Sequence, residues 1–257
     1  MLDGKRLLIT GIVNSESIAY ATAKRAQLAG AEVILTSFPR DRRLAEEAAA
    51  CLPRRAEIVD ADLTRAEDVE RLSEHVRARM DTIDGALHAI AFAPRDALAG
   101  DFLAASPDGV NLAFQTSAFS YASLARLLSG LAPADGAALV GLDFDARGAW
   151  PVYNWMGVCK AALESTNRYL ARDLGPSGIR ANLVAAGPLH TRAAGGIPDF
   201  DRLLRAWATQ APIRWDAFDP APVADAVCFL LSDHARAITG EILHVDGGYH
   251  AMAAALR

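Results

Sequence analysis

Tyr153 and Lys160 stand seven residues apart in the segment Pro151-Val-Tyr-Asn-Trp-Met-Gly-Val-Cys-Lys160. Seven steps of about 100° make roughly two helical turns, so a phenol and an amine would share one face, about 10 Å apart along the axis. The lysine side chain leans towards the helix N-terminus and shortens that gap. An ammonium near a phenol favours phenolate, which lowers the tyrosine pKa from about 10 and makes it a usable acid. The same spacing also arises when a lysine snorkels past a packed tyrosine. The pair therefore needs a scaffold that turns it towards a ligand. Upstream, Asp143 and Asp145 flank Phe144 and are expected to anchor a loop rather than to act as an acid–base pair.

The scaffold is legible in the alternation of apolar runs and amphipathic stretches. Lys5–Thr10, Glu32–Thr36, Glu57–Val59, Ala86–Phe92, Ala137–Leu142, Arg180–Val184 and Glu241–Val245 read as strands. Ser17–Leu28, Arg65–Arg79, Ser117–Leu131, Tyr153–Leu174 and Pro222–Leu231 read as helices. Continuously apolar strands imply a sheet covered on both faces. The expected fold class is α/β, a Rossmann-type doubly wound parallel sheet of about seven strands flanked by helices. No repeat or Gly/Ser/Pro-rich linker divides the chain, so residues 1–257 are expected to form a single dinucleotide-binding domain. The irregular stretch Ala185–Asp201 suggests a mobile lid, taken as about residues 189–212.

Composition narrows the function. The chain has 257 residues, 52% hydrophobic and 22% charged, with 26 Lys+Arg against 31 Asp+Glu. A net charge of −5 argues against binding nucleic-acid phosphates. No run approaches the roughly 18–20 apolar residues of a membrane span, and no basic-then-apolar leader precedes the first strand. Three widely spaced cysteines, Cys51, Cys159 and Cys228, predict neither a disulfide framework nor a metal site, and point to a reducing cytoplasm. Cys159 is expected to pack as a small hydrophobe, and His88 and His244 to be hydrogen-bonded core residues.

A doubly wound sheet takes its ligand at the carboxyl ends of the strands. There the first strand ends in Thr10-Gly-Ile-Val-Asn-Ser-Glu-Ser-Ile-Ala19. Gly11 permits the tight turn, and Ser17 can cap a helix whose free N–H groups receive a pyrophosphate. Only one glycine is present, so an ordinary βα turn reads equally well. The second strand ends at Thr36-Ser37-Phe38 without the carboxylate usual for a ribose, leaving Phe38 as an aromatic surface for adenine. Arg40, Arg42 and Arg43 are candidates for a 2′-phosphate or simply a solvated helix start. Asp62 could accept from an adenine amine or cap a helix, with Leu63 beside it.

With these residues in place, the chain resembles the enoyl-acyl-carrier-protein reductases of type II fatty-acid synthesis, a branch of the short-chain dehydrogenase/reductases, and most closely those acting on longer acyl chains. The resemblance runs through Ser17-Ile18-Ala19, His88-Ala-Ile-Ala-Phe92, Asp143-Phe-Asp145, Tyr153-Asn-Trp-Met, Lys160, Asn182-Leu-Val-Ala-Ala-Gly-Pro188 and Asp246-Gly-Gly248. Carbonyl-reducing relatives place lysine four residues after tyrosine, where Gly157 stands here, and a serine in the Val140-Gly141-Leu142 stretch, where none is present. The resemblance implies NADH-dependent reduction of trans-2-enoyl thioesters on acyl-carrier protein or coenzyme A. It implies Tyr153 as hydrogen-bond donor to the thioester oxygen, Lys160 on the nicotinamide ribose, and Phe144, Met156 and Leu189 along the substrate. It further implies a cofactor site of Gly11, Ile12, Ser17, Ile18, Phe38, Asp62, Leu63, Ile90, Ala91, Lys160, Leu189 and Thr191, with NADH preferred over NADPH and no metal.

Two departures stand out. Ala89 and Ala91 replace residues that are usually Ser and Gly, and the Thr191–Pro212 stretch is about ten residues shorter than in the long-chain branch. The first motivates, as an alternative, a dinucleotide-binding regulator without turnover; a carbonyl-reducing enzyme is the other alternative. Apolar residues on several faces of 117–131 and 153–174 (Phe119, Tyr121, Leu124, Leu127, Leu128, Ala161, Leu163, Leu170) predict helix pairing in a homotetramer.

Overall fold

The apolar runs assemble into one sheet because each carries side chains to both faces. In the computed structural model, which describes residues 1–253, β1 (Arg6–Ile9), β2 (Glu32–Ser37), β3 (Glu57–Asp60), β4 (Gly85–His88), β5 (Ala137–Asp143), β6 (Ile179–Ala186) and β7 (Ile242–Val245) form a seven-stranded sheet. Every pairing is parallel, in the order β3-β2-β1-β4-β5-β6-β7. The helices are α1 (Ile18–Leu28), α2 (Arg42–Ala49), α3 (Ala66–Met80), α4 (Arg95–Leu98), α5 (Pro107–Phe114), α6 (Ser120–Leu131), α7 (Asn154–Leu174), α8 (Asp201–Gln210) and α9 (Ala221–Leu231). Strand residues alternate between two cores. Leu7, Ile9, Leu35, Ala138 and Val140 pack with α1, α2 and α9. Leu8, Ile34 and Leu139 pack with α3, α6 and α7. The chain direction across the sheet reverses between β1 and β4, which opens a crevice at their carboxyl ends.

Several boundaries differ from expectation. The strand expected over Ala86–Phe92 ends at His88. Its neighbour β1 already stops at Ile9, so Ala89–Phe92 leaves the sheet and lines the crevice instead. The helix expected from Ser117 begins ten residues earlier: Ser106 caps α5 through the Gly109 amide, and α5 runs into α6 through a π-helical turn over Gln115–Phe119. The Ser117 hydroxyl in that turn accepts from the Phe92 amide and donates to the Phe92 carbonyl, both at 3.0 Å, and so pins the crevice wall. β6 continues to Ala186, and within the stretch expected as a lid Asp201–Gln210 is helix α8.

The apolar faces also sort differently. Tyr121, Leu124, Leu127, Leu128 and Leu163 are consumed inside the chain. The large apolar residues left exposed on this side are Leu112, Phe114, Phe119, Val158 and Tyr169. No helix among the described residues is long and apolar enough to cross a membrane.

Candidate active site

The turn that delivers Tyr153 is strained. Val152 and Asn154, on either side, have φ of +60° and +34°, in the left-handed region that non-glycine residues avoid. Such conformations cost on the order of 1–3 kcal/mol each and persist where surrounding contacts over-determine them. Here Asn154 Nδ2 donates to the Gly100 carbonyl and Trp155 Nε1 to the Phe102 carbonyl, both at 3.1 Å. Tyr153 is buried, with its ring centroid 5.0 Å from that of Phe144.

Lys160 lies two turns into α7 and is 4% exposed. Its Nζ donates to the Leu142 carbonyl at 2.8 Å. Next to that carbonyl stands Asp143, 5% exposed, both of its carboxylate oxygens buried without a hydrogen-bond partner. Burial pushes the Asp143 carboxyl up to about 7 against the opposing pull of Lys160, and burial lowers the Lys160 pKa. The expectation that Lys160 lowers the Tyr153 pKa is overturned. Burial, then the charges of Asp143 and Cys159, raise it, while the Lys160 amine donates to the Leu142 carbonyl. Tyr153 is thus held as a neutral phenol, a hydrogen-bond donor. Asp143 is no loop anchor; Asp145 is, paired with Arg147 at 2.8 Å and bonded through its carbonyl to the Trp150 indole. His88 is a core residue as expected. Ser120 spends its proton on the Thr116 carbonyl (2.6 Å), so His88 Nε2 must donate to Ser120 Oγ (2.7 Å). Burial and the nearby Lys160 charge lower its pKa to about 3, keeping it neutral. Cys159 is buried, its thiol pushed up to about 11. His244 is half-buried and stacked on His250; its Nε2 lies 3.8 Å from the Asp145 carboxylate without a hydrogen bond, so this expectation of a hydrogen-bonded residue fails.

A cleft of about 620 Å³ runs across the strand ends and gathers most of the expected residues: Gly11, Ser17, Ile18, Phe38, Ile90, Ala91, Phe144, Tyr153, Met156, Lys160, Leu189 and Thr191. Gly11 has φ +78°, and a Cβ there would stand 2.2 Å from the Ala89 carbonyl oxygen, so only glycine lets this turn pack against the chain after β4. Ser17 caps α1, its Oγ accepting from the Tyr20 amide at 3.2 Å. The Ile18 and Ala19 amides head that helix, where N–H groups lack intrahelical acceptors and favour an anion. Three expected residues do not line the cleft. Ile12 and Leu63 are core, and Asp62 accepts from the Thr64 amide and hydroxyl at 2.9 and 2.7 Å.

Sequence reasoning missed Asp143 and Asp41 as cleft residues, and of its three arginine candidates only Arg40 lines the cleft. Arg40 lies over the Phe38 and Phe92 rings, 5.0 and 5.6 Å from their centroids, while Arg42 and Arg43 pair with Glu46 and Glu47 on the surface. Asp41 stands between Arg40 and Arg192, at 3.5 and 3.8 Å. It supplies a carboxylate three residues beyond Phe38, at the end of a 3₁₀ turn that Pro39 opens.

A family described as Enoyl-(Acyl carrier protein) reductase matches residues 11–250. The chain is 43% identical to the enoyl-acyl-carrier-protein reductase (NADH) of Mycobacterium avium, across 96% of this chain and 97% of that one. It is 41% identical to the protein of the same name from Mycolicibacterium smegmatis, with the same coverage. It is 38% identical to the Bacillus cereus enzyme, across 97% and 98%. The chain therefore belongs to the enoyl-(acyl carrier protein) reductase family.

Proposed function

We propose that this protein reduces trans-2-enoyl thioesters, carried on acyl-carrier protein or coenzyme A, to saturated acyl thioesters with NADH, in fatty-acid elongation. The observation that carries the reading is the neutral phenol of Tyr153 beside Phe144, two turns ahead of buried Lys160, with no serine in Val140–Leu142 to serve a carbonyl reductase. The near full-length relatives, each named as an NADH enzyme, support it.

A dinucleotide fits this cleft: Gly11 lines it with bare backbone, at a place where a Cβ would strike the Ala89 carbonyl, and the capped α1 N-terminus faces it. Gly11, Ser17 and Ile18 would hold the pyrophosphate, Phe38 and Arg40 the adenine, and Lys160, Ile90, Ala91, Leu189 and Thr191 the nicotinamide half. Ile12 and Leu63 support these walls from the core, and Asp62 shapes the turn after β3. Asp41 beside Arg40 disfavours a 2′-phosphate and so favours NADH over NADPH. When bound, the dinucleotide would supply a hydride to the β-carbon of the thioester, and a proton from solvent added at the α-carbon completes the reduction. Tyr153 Oη donates to the thioester oxygen, where negative charge develops, and catalysis acts through that differential stabilisation. Phe144 and Met156 exclude water and strengthen that bond. Lys160 fixes the ribose, and with it the approach of the reacting carbons.

The 189–212 segment serves as the lid over the acyl chain. The exposed apolar side chains of α5–α7 support a homotetramer, tested by sedimentation equilibrium, and the free thiols are consistent with a cytoplasmic setting. The direct test is loss of NADH absorbance on adding enoyl thioesters. NADH binding without oxidation would instead favour the regulator without turnover.

A further inference from the structure

We propose that Asn154 and Trp155 are positioning residues for Tyr153: they lash the turn that carries the phenol to the 100–102 backbone and so fix where its hydroxyl meets the thioester oxygen. The inference rests on the enoyl-reductase reading above. Neither side chain lines the cleft, so both act through Tyr153. Tyr153 itself has φ −125° and ψ −21°, between Val152 at φ +60° and Asn154 at φ +34°. A β-branched residue such as Val152 resists that region most. Returning either neighbour to the ordinary right-handed region rotates the chain by roughly 90–120° beside Tyr153 and carries its ring off Phe144. No side chain caps the start of α7, so nothing local holds the turn in this form.

The hold comes from the strap between α4 and α5. Beyond the two hydrogen bonds to the Gly100 and Phe102 carbonyls, the Trp155 ring stacks on Phe102, centroids 4.7 Å apart and planes 7° apart. The strap is itself closed. The Asp96 carboxylate accepts from the Ser106 hydroxyl at 2.6 Å and from its amide at 3.0 Å, which joins the two ends. Within it, Asp101 accepts from the Leu103 amide at 3.0 Å. At its root, Leu98 shares a small apolar core with Tyr153 and Met156. The strap is thus fixed at both ends, and the strained turn is fixed to its middle.

The consequence falls on one step. A hydroxyl that donates to charge developing in the transition state loses most of its effect when misplaced, and an error of about 1 Å costs up to about 10²-fold in rate. Lys160 is held separately, two turns along α7, by its bond to the Leu142 carbonyl. Loosening the strap therefore disturbs the proton donor and leaves the ligand-holding half of the site in place.

The test pairs kinetics on trans-2-dodecenoyl-coenzyme A with calorimetric NADH affinity and amide hydrogen exchange over residues 151–157 of the free protein. Trp155→Ala is expected to lower kcat about tenfold, to change KM and NADH affinity by less than about twofold, and to speed exchange in that segment. Trp155→Phe keeps a ring on Phe102 and is expected to recover most of the rate. Asn154→Asp tolerates the left-handed conformation but cannot donate to Gly100, so it is expected to lower kcat in the same direction without unfolding the turn. In a Tyr153→Phe background, Trp155→Ala is expected to cause no further fall, because no hydroxyl remains to be misplaced. A folded Trp155→Ala with parental kcat or parental exchange, or the same tenfold fall in the Tyr153→Phe background, would overturn the positioning role while leaving the enoyl-reductase reading intact. A parent that oxidises NADH with no enoyl thioester would overturn both.

Discussion

Lys160 donates its Nζ proton to the Leu142 carbonyl at 2.8 Å, which holds the amine beside the unpartnered carboxylate of Asp143. The lysine thus serves the floor of the cleft, and Tyr153, left to burial, stays protonated. On the proposed function the two residues divide the labour: Tyr153 would donate to substrate, and Lys160 would hold the ligand.

Tyr153→Phe is expected to lower kcat about 10²-fold, within the range a positioned proton donor contributes, while NADH affinity changes by less than about twofold. Lys160→Met is expected to weaken NADH binding about tenfold, equivalent to ~1.4 kcal/mol. Tryptophan fluorescence quenching by NADH, read beside steady-state rates, separates the two effects. Equal losses of both parameters in both variants would contradict the assignment.

Asp143 should leave its mark on stability against pH. Its folded-state pKa is raised to about 7 from the ordinary 3.8, so the folded chain keeps a proton that the unfolded chain releases. The stability this contributes is complete below about pH 4 and is lost as pH rises through 7. Urea unfolding of the parent between pH 5 and 8 is therefore expected to show a steeper decline than Asp143→Asn. Parallel curves would show that the carboxyl titrates normally.

Gly11→Ala places a methyl 2.2 Å from the Ala89 carbonyl oxygen at φ +78°. A strained left-handed residue costs about 1–3 kcal/mol, and the forced shift of the Ala89 backbone adds to it. Both the unfolding midpoint and NADH affinity are expected to fall; a variant with parental affinity would mean that this turn does not face the dinucleotide.

Ser120→Ala removes the acceptor for His88 Nε2 in a fully buried site. A buried donor left unpaired costs about 1–3 kcal/mol, expected as an earlier urea midpoint. The NADH-binding curve, measured on the folded variant, is expected to stay close to parental.

The chain alone determined the doubly wound sheet, because seven apolar runs separated by amphipathic stretches are satisfied only by strands buried on both faces. It also determined the glycine turn and serine cap, and the two-turn spacing of Tyr153 and Lys160, because these depend on backbone geometry over a few neighbouring residues. Tertiary structure decided what the spacing leaves open. Whether Lys160 serves Tyr153 or Asp143 depends on where the β5 carbonyls end and how much water is excluded, and burial outweighed the attraction of opposite charges. The placement of Asp41 in the cleft, of Ile12 and Leu63 in the core, and of Trp150 against Trp207 and Tyr249 likewise depends on segments far apart in sequence packing together. No local pattern carries that information, since each partner is chosen by the space the others leave.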